Sequence, residues 1–220
     1  MPDPSNATLI QFNDWTLRVR ETSSAKPRFL LLIHGLTGDE NSMWVFARNL
    51  SADYWMVAPR APYPAQPGGY SWRDKFDASE FGRPSLDQLR SSAEVLIRLV
   101  DEYSASAGID ANTFDVMGFS QGAAMSNVLA FLYPQRIRKV GILAGFVPSG
   151  LEQLVPQRLL KGKPFFVTHG TRDTMVSIDR ARTSVAILER AGADVTYCED
   201  DVAHKVSVNC LHALKEFFAD

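Results

Sequence analysis

Cysteine is scarce in this chain: its 220 residues hold two, Cys198 and Cys210. Two are too few for a disulfide framework at this length, so both are expected as small buried hydrophobes in a reducing compartment. No apolar run reaches the length of about 18 residues that a membrane span needs, which excludes membrane insertion. The first ten residues include Pro2, Asp3, Pro4, Ser5 and Asn6 and lack the basic cluster and apolar stretch of a signal peptide, so a cytoplasmic protein is expected. An excess of either charge is missing too. Lys and Arg total 23 against 25 Asp and Glu, a net charge of -2 spread without long runs, which argues against nucleic acid as a partner. With no internal repeat, low-complexity tract or composition break, the expectation is a single domain over 1–220 without a separate lid domain. At 45% hydrophobic and 22% charged residues, the composition is that of a chain folding around its own core.

Apolar runs at 28–34, 54–58, 114–119, 140–144 and 165–169 are too apolar on alternate faces for half-exposed strands and predict strands covered on both sides. Between them, helical spacing predicts helices over 42–50, 85–108, 121–133, 178–191 and 207–218. In the second, Leu86, Leu89, Ala93, Leu96, Ile97 and Val100 share one face, Ser85 and Gln88 match a capping box, and Gly108 supplies the stop. Strand and helix in alternation predict the α/β class, with a mostly parallel central sheet and helices on both faces. Residues 15–21 alternate as an antiparallel edge strand would, and 194–198 reads as the last strand. The stretch 61–84, rich in Pro, Gly and aromatic residues, is a long loop of the kind that usually serves a site.

Gly118-Phe119-Ser120-Gln121-Gly122 lies where an apolar strand passes into a helix. A serine on so sharp a turn projects its hydroxyl above the sheet, and flanking glycines are needed because strand and helix nearly touch there. A hydroxyl becomes a nucleophile only when a base takes its proton, so a histidine and an acid are required further on. Asp173 follows the strand at 165–169 and His204 follows the last strand. The order Ser120, Asp173, His204 is that of a Ser-Asp-His hydrolase triad on a parallel sheet. Asp200 and Asp201 are rival acids, but they stand so near His204 in sequence that reaching its Nδ1 from a neighbouring loop is difficult. His34 and His169 end strands before glycines, where a structural hydrogen bond is expected, and His212 lies within a helix. The oxyanion of a tetrahedral intermediate needs two donors, expected from the backbone N–H groups of Gln121 and Leu36. Tyr70, Trp72, Phe146, Val147 and Met175 sit on loops expected at the same sheet edge and are proposed to line the substrate pocket. No zinc-binding H-E-x-x-H, C-x-x-C, phosphate loop or dinucleotide fingerprint occurs, so neither a metal nor a cofactor is called for.

Taken together, His34-Gly35-Leu36, Gly68-Gly69-Tyr70-Ser71-Trp72-Arg73-Asp74, Gly118-Phe119-Ser120-Gln121-Gly122, Gly170-Thr171-Arg172-Asp173-Thr174-Met175-Val176 and His204 make the chain resemble the phospholipase/carboxylesterase family, which includes the acyl-protein thioesterases. The resemblance implies the α/β-hydrolase fold and cofactor-free hydrolysis of carboxylic esters or thioesters, with Ser120 as nucleophile, His204 as base and Asp173 as its orienting acid. The partner it implies is a small-molecule ester or acyl substrate, and monomer and homodimer stay open. Three departures stand out: Ala203 replaces the family's usual Gly before the histidine, the turn after Leu36 is longer by Thr37, and Arg73 occupies a position usually aromatic. The expected activity is that of a carboxylesterase, with a thioesterase or lysophospholipase as the alternative and a non-catalytic ligand-binding scaffold as the reading of another class.

Overall fold

The structure, a computed structural model, describes residues 7–74 and 84–219. Part of the N-terminal stretch read above (Pro2, Asp3, Pro4, Ser5 and Asn6) and residues 75–83 of the long loop, with Phe76, Phe81 and Gly82, lie outside the described residues.

Eight strands form the main sheet: β1 (Thr8–Phe12), β2 (Trp15–Arg20), β3 (Arg28–Ile33), β4 (Tyr54–Pro59), β7 (Phe114–Phe119), β8 (Ile137–Leu143), β9 (Pro164–Gly170) and β10 (Asp194–Asp200). Their order is β1-β2-β4-β3-β7-β8-β9-β10, with β2 antiparallel to both neighbours and every pair from β4 to β10 parallel. A two-strand ribbon, β5 (Tyr63–Pro64) with β6 (Tyr70–Ser71), stands apart.

The apolar runs are strands because each residue finds cover on its own side of the sheet. Along β3, Phe29, Leu31 and Ile33 join the core under α2 (Leu86–Ala107), α3 (Gln121–Leu132) and α4 (Ile178–Arg190). Leu30 and Leu32, pointing the other way, pack with Ala47 of α1 (Trp44–Ala47) and Leu214 of α5 (Val208–Phe217). This period of two with helices on both faces is the expected architecture. The reciprocal capping box at Ser85 and Gln88 is present, and Gly108 ends α2 in the left-handed conformation at φ 68°. Asp115, fully buried on β7, accepts hydrogen bonds from Tyr54 Oη at 2.6 Å and Arg138 Nε at 2.9 Å, tying β4 and β8 to the strand.

Four expectations need correction. The segment 15–21 is a strand, but β1 takes the sheet edge; Thr8–Phe12 is mostly exposed and is held by its register with β2 together with the partly buried Ile10 and Phe12. The helix expected over 42–50 narrows to Trp44–Ala47, because the preceding turn is occupied by hydrogen bonds among Asp39, Asn41 and Ser42. The strand expected over 140–144 begins earlier, at Ile137, and Ala144 lies beyond its end. The cysteines are not separate thiols: Cys198 on β10 and Cys210 on α5 form a disulfide with Cα atoms 5.8 Å apart, which removes the support that two free thiols lent to a cytoplasmic location.

Topology locates the crevice. From β3 the chain steps outward to β4 and later returns to place β7 on the other side of β3, so the connections diverge at the carboxyl ends of β3 and β7. The His34-Gly35-Leu36 turn and Ser120 sit at those two ends.

Candidate active site

Ser120 occupies the turn between β7 and α3 with φ 54° and ψ -114°, a backbone state an L-residue adopts only when its surroundings impose it. The surroundings here are two close approaches. A Cβ on Gly118 would come within 2.1 Å of the Gly122 carbonyl oxygen, and one on Gly122 within 2.0 Å of that of Ile33. Only glycine lets strand, turn and helix pack this tightly.

Asp173 follows β9, its side chain fully buried. Its Oδ1 accepts the backbone N–H groups of Met175 at 2.8 Å and Val176 at 2.9 Å, and its Oδ2 lies 2.6 Å from His204 Nδ1. An acceptor at that position places the imidazole proton on Nδ1 and leaves Nε2 as a base. A second imidazole reaches the same oxygen: His169 Nε2, fully buried, is 3.2 Å from Asp173 Oδ2 and 2.8 Å from the Val176 carbonyl. The structural hydrogen bond expected of His169 is therefore directed at the loop that carries the acid.

His204 lies between β10 and α5, its ring tilted against that of Phe119 with centroids 5.0 Å apart. Its loop is fastened by the Cys198–Cys210 disulfide and by hydrogen bonds from Thr171 N to the Asp200 carbonyl and from Arg172 N to that of Val202. Ala203 is not among the residues of positive φ, so alanine fits there without backbone strain. The rival acids are engaged elsewhere: Asp200 accepts from Asn209, and Asp201 pairs with Arg172 at 2.6 Å. Both ring nitrogens of His34 are used, Nδ1 lying 2.7 Å from the Gly35 carbonyl and Nε2 accepting the Ala61 N–H, and burial pushes its pKa down.

Leu36 and Gln121 both line the cleft with Ser120 and His204. The neighbouring N–H groups of Thr37 and Gly38 are committed to the carbonyls of Tyr70 and Gly35. The described part of the long loop braces this turn: Tyr70 pairs with Thr37 and Gly38, and the Trp72 N–H donates to Gln121 Oε1 at 2.9 Å. Arg73 is buried and donates to Gln88 Oε1, linking the same loop to the cap of α2. Glu40, also buried, holds Arg60 through two hydrogen bonds of 2.8 and 2.9 Å, and these bonds keep its carboxyl below the usual carboxylate range. A depressed folded-state pKa contributes stability that is full above the unfolded value and is lost as the pH falls through the folded one. Glu40→Gln is thus expected to cost roughly 1–2 kcal/mol at pH 7, with the gap from the native protein narrowing in thermal melts as the pH falls through the acid range and the carboxylate is protonated. A gap constant across that range would contradict the assignment.

The cleft holds about 410 Å³. Of the five residues expected to line it, Met175 does; Trp72, Phe146 and Val147 are buried in the core, and the Tyr70 ring lies under the Arg60 guanidinium. Its apolar wall is instead Val45, Phe46, Phe119 and Val176. Phe119 could have been found from its place inside the G-x-S-x-G pattern, whereas Val45 and Phe46 depend on how α1 packs.

Comparison with known proteins bears on the family and the fold. Residues 16–220 match the family model of the phospholipase/carboxylesterases. Acyl-protein thioesterase 1 of Debaryomyces hansenii is 31% identical over 195 residues, 79% of this chain and 82% of that protein. Carboxylesterase SOBER1 of Arabidopsis thaliana is 27% identical over 177 residues, 74% and 77% of the respective chains. Among solved structures, a carboxylesterase from Mesorhizobium loti superposes with a TM-score of 0.80 at 20% identity, covering 97% of this chain and 99% of its own, and shares the fold.

Proposed function

The chain belongs to the phospholipase/carboxylesterase family and is a carboxylic ester hydrolase, and on that premise we propose that it works through an acyl-Ser120 intermediate with His204 as base and Asp173 as the acid that orients it. The observation that carries this reading is the 2.6 Å contact between Asp173 Oδ2 and His204 Nδ1, in a cleft shared with Ser120 on its strained turn. Ser120 Oγ attacks the acyl carbon while its proton passes to His204 Nε2. The N–H groups of Leu36 and Gln121 stabilise the oxyanion, and His204 then protonates the departing alcohol or thiol. Water repeats the sequence, releasing the carboxylic acid and restoring the serine hydroxyl. Asp173 keeps the imidazole in the tautomer that accepts the serine proton. The whole reaction is assigned to one domain without a separate lid.

The proposed substrate is a small-molecule carboxylic ester whose apolar arm lies against Phe46 and Phe119. Thioester cleavage is the second reading, favoured by the relatives named acyl-protein thioesterases. Rates on p-nitrophenyl esters from acetyl to palmitoyl, set beside matched acyl thioesters, test both. The expected result is turnover of p-nitrophenyl esters with an optimum in chain length; release of p-nitrophenol no faster than in buffer across the series would remove the carboxylesterase reading.

A further inference from the structure

The cleft does not end at its apolar wall. Val45 and Phe46 also form one side of a second groove, of about 440 Å³, between α1 and α5. The His204 ring lies tilted against Phe119, centroids 5.0 Å apart, and Phe119 stacks on Phe46 at 5.4 Å, so a row of rings leads from the proposed base to this groove. On α5, Val208, Leu211, His212 and Lys215 fall at i, i+3, i+4 and i+7 and present one stripe to it. The stripe changes character along its length: apolar at Val208 and Leu211, beside the His204 loop, and basic at His212 and Lys215.

Arg48 on the facing side adds a second permanent positive charge, and among the described residues no Asp or Glu lines the groove. Among the described residues, no carboxylate pairs with the Arg48 or Lys215 side chain. The apolar end is conspicuous as well. Of the four strongly exposed large hydrophobics among the described residues, Val45 (57%), Met175 (56%) and Val208 (68%) stand around the cleft and groove. An exposed apolar strip leading from a nucleophile to a pair of unopposed cations is complementary to an amphiphile.

We propose that this groove is a subsite for an ester one arm of which is an apolar chain ending in an anionic group, the chain lying along Phe46, Val45 and Leu211 and the anion between Arg48 and Lys215. The proposal rests on the acyl-serine reading of the adjoining cleft. The rise of an α-helix sets the scale: seven residues from Val208 to Lys215 cover roughly 10 Å. A saturated chain of about eight to ten carbons spans the groove itself, so each pair of test esters is run at ten carbons and in longer homologues that cover the added distance from Ser120.

The test uses two matched pairs of esters below their critical micelle concentrations. One is p-nitrophenyl decanoate against the mono-p-nitrophenyl ester of decanedioic acid, which puts the anion on the acyl arm. The other is decyl butyrate against 9-carboxynonyl butyrate, which puts it on the alcohol arm. For the native protein, kcat/KM is expected to favour the carboxylate-ended member of at least one pair. Arg48→Glu/Lys215→Glu should lower that ratio about tenfold, as should raising the salt concentration, because the charges are exposed. Arg48→Lys/Lys215→Arg should keep it. A ratio in both pairs that is unchanged by charge reversal and by salt would overturn the subsite. The underlying reading is tested separately: hydrolysis that persists in Ser120→Ala would remove the acyl-serine mechanism, whereas Ser120-dependent hydrolysis with indifferent ratios would remove only the subsite.

Discussion

Ser120→Ala is expected to lower kcat on a p-nitrophenyl ester by about 10⁶-fold while leaving the protein folded. The turn already holds residue 120 at φ 54°, and alanine carries no more bulk there than serine. The Asp173–His204 contact does not involve Ser120, so the imidazole stays in place. Only Oγ is lost, and with it the covalent route. What remains is binding in the cleft and the two N–H donors, worth a residual ~10³–10⁴-fold over water in enzymes of this design. KM should change little, since the apolar wall is untouched. Steady-state rates of both proteins, with circular dichroism to verify the fold, check the prediction; a variant retaining a tenth of native kcat would contradict it.

Asp173→Asn should lower kcat by about 10⁴-fold through the tautomer rather than through the fold. The carboxylate has four partners: Oδ1 accepts from Met175 and Val176, and Oδ2 faces His204 Nδ1 and His169 Nε2. An asparagine that keeps its carbonyl oxygen toward the two backbone N–H groups presents its NH₂ to His204. The imidazole then satisfies that donor best with Nδ1 unprotonated and the proton on Nε2, where it can no longer accept from Ser120. The expected signature is a fall in kcat with KM nearly unchanged and thermal stability lowered by less than for a truncation such as Asp173→Ala. A loss below tenfold would mean that His204 does not depend on Asp173 for its orientation.

Five of the parallel strands, β3, β4, β7, β8 and β9, could be read from the sequence because each is largely apolar on both faces, a pattern that needs cover on two sides and so implies the layered architecture. Strand β1 escaped because Thr8–Phe12 buries little beyond Ile10 and Phe12, and its pairing with Trp15–Arg20 and the contact of Phe12 with Tyr103 are not marked by any local pattern. The disulfide was illegible for another reason. Cys198 and Cys210 meet only once β10 turns back into α5, and the spacing of two cysteines says nothing about that turn. Ser120, Asp173 and His204 were legible because each follows a strand of one parallel sheet, whose carboxyl ends share an edge. The pocket was not. Trp72 and Phe146 were placed near the site by loop position alone, but their size drew them into the core, while Phe46 reached the cleft by stacking on Phe119 at 5.4 Å. Long-range packing of this kind leaves no local periodicity to read.

The central claim is that Ser120 is an activated nucleophile, and labelling with a fluorophosphonate probe tests it most directly. Native protein should take up one equivalent, with the adduct mapped by peptide mass spectrometry to Ser120 and hydrolysis lost in proportion to labelling. Ser120→Ala should take up none. Labelling at another residue, or a fully active enzyme that stays unlabelled, would contradict the assignment of Ser120.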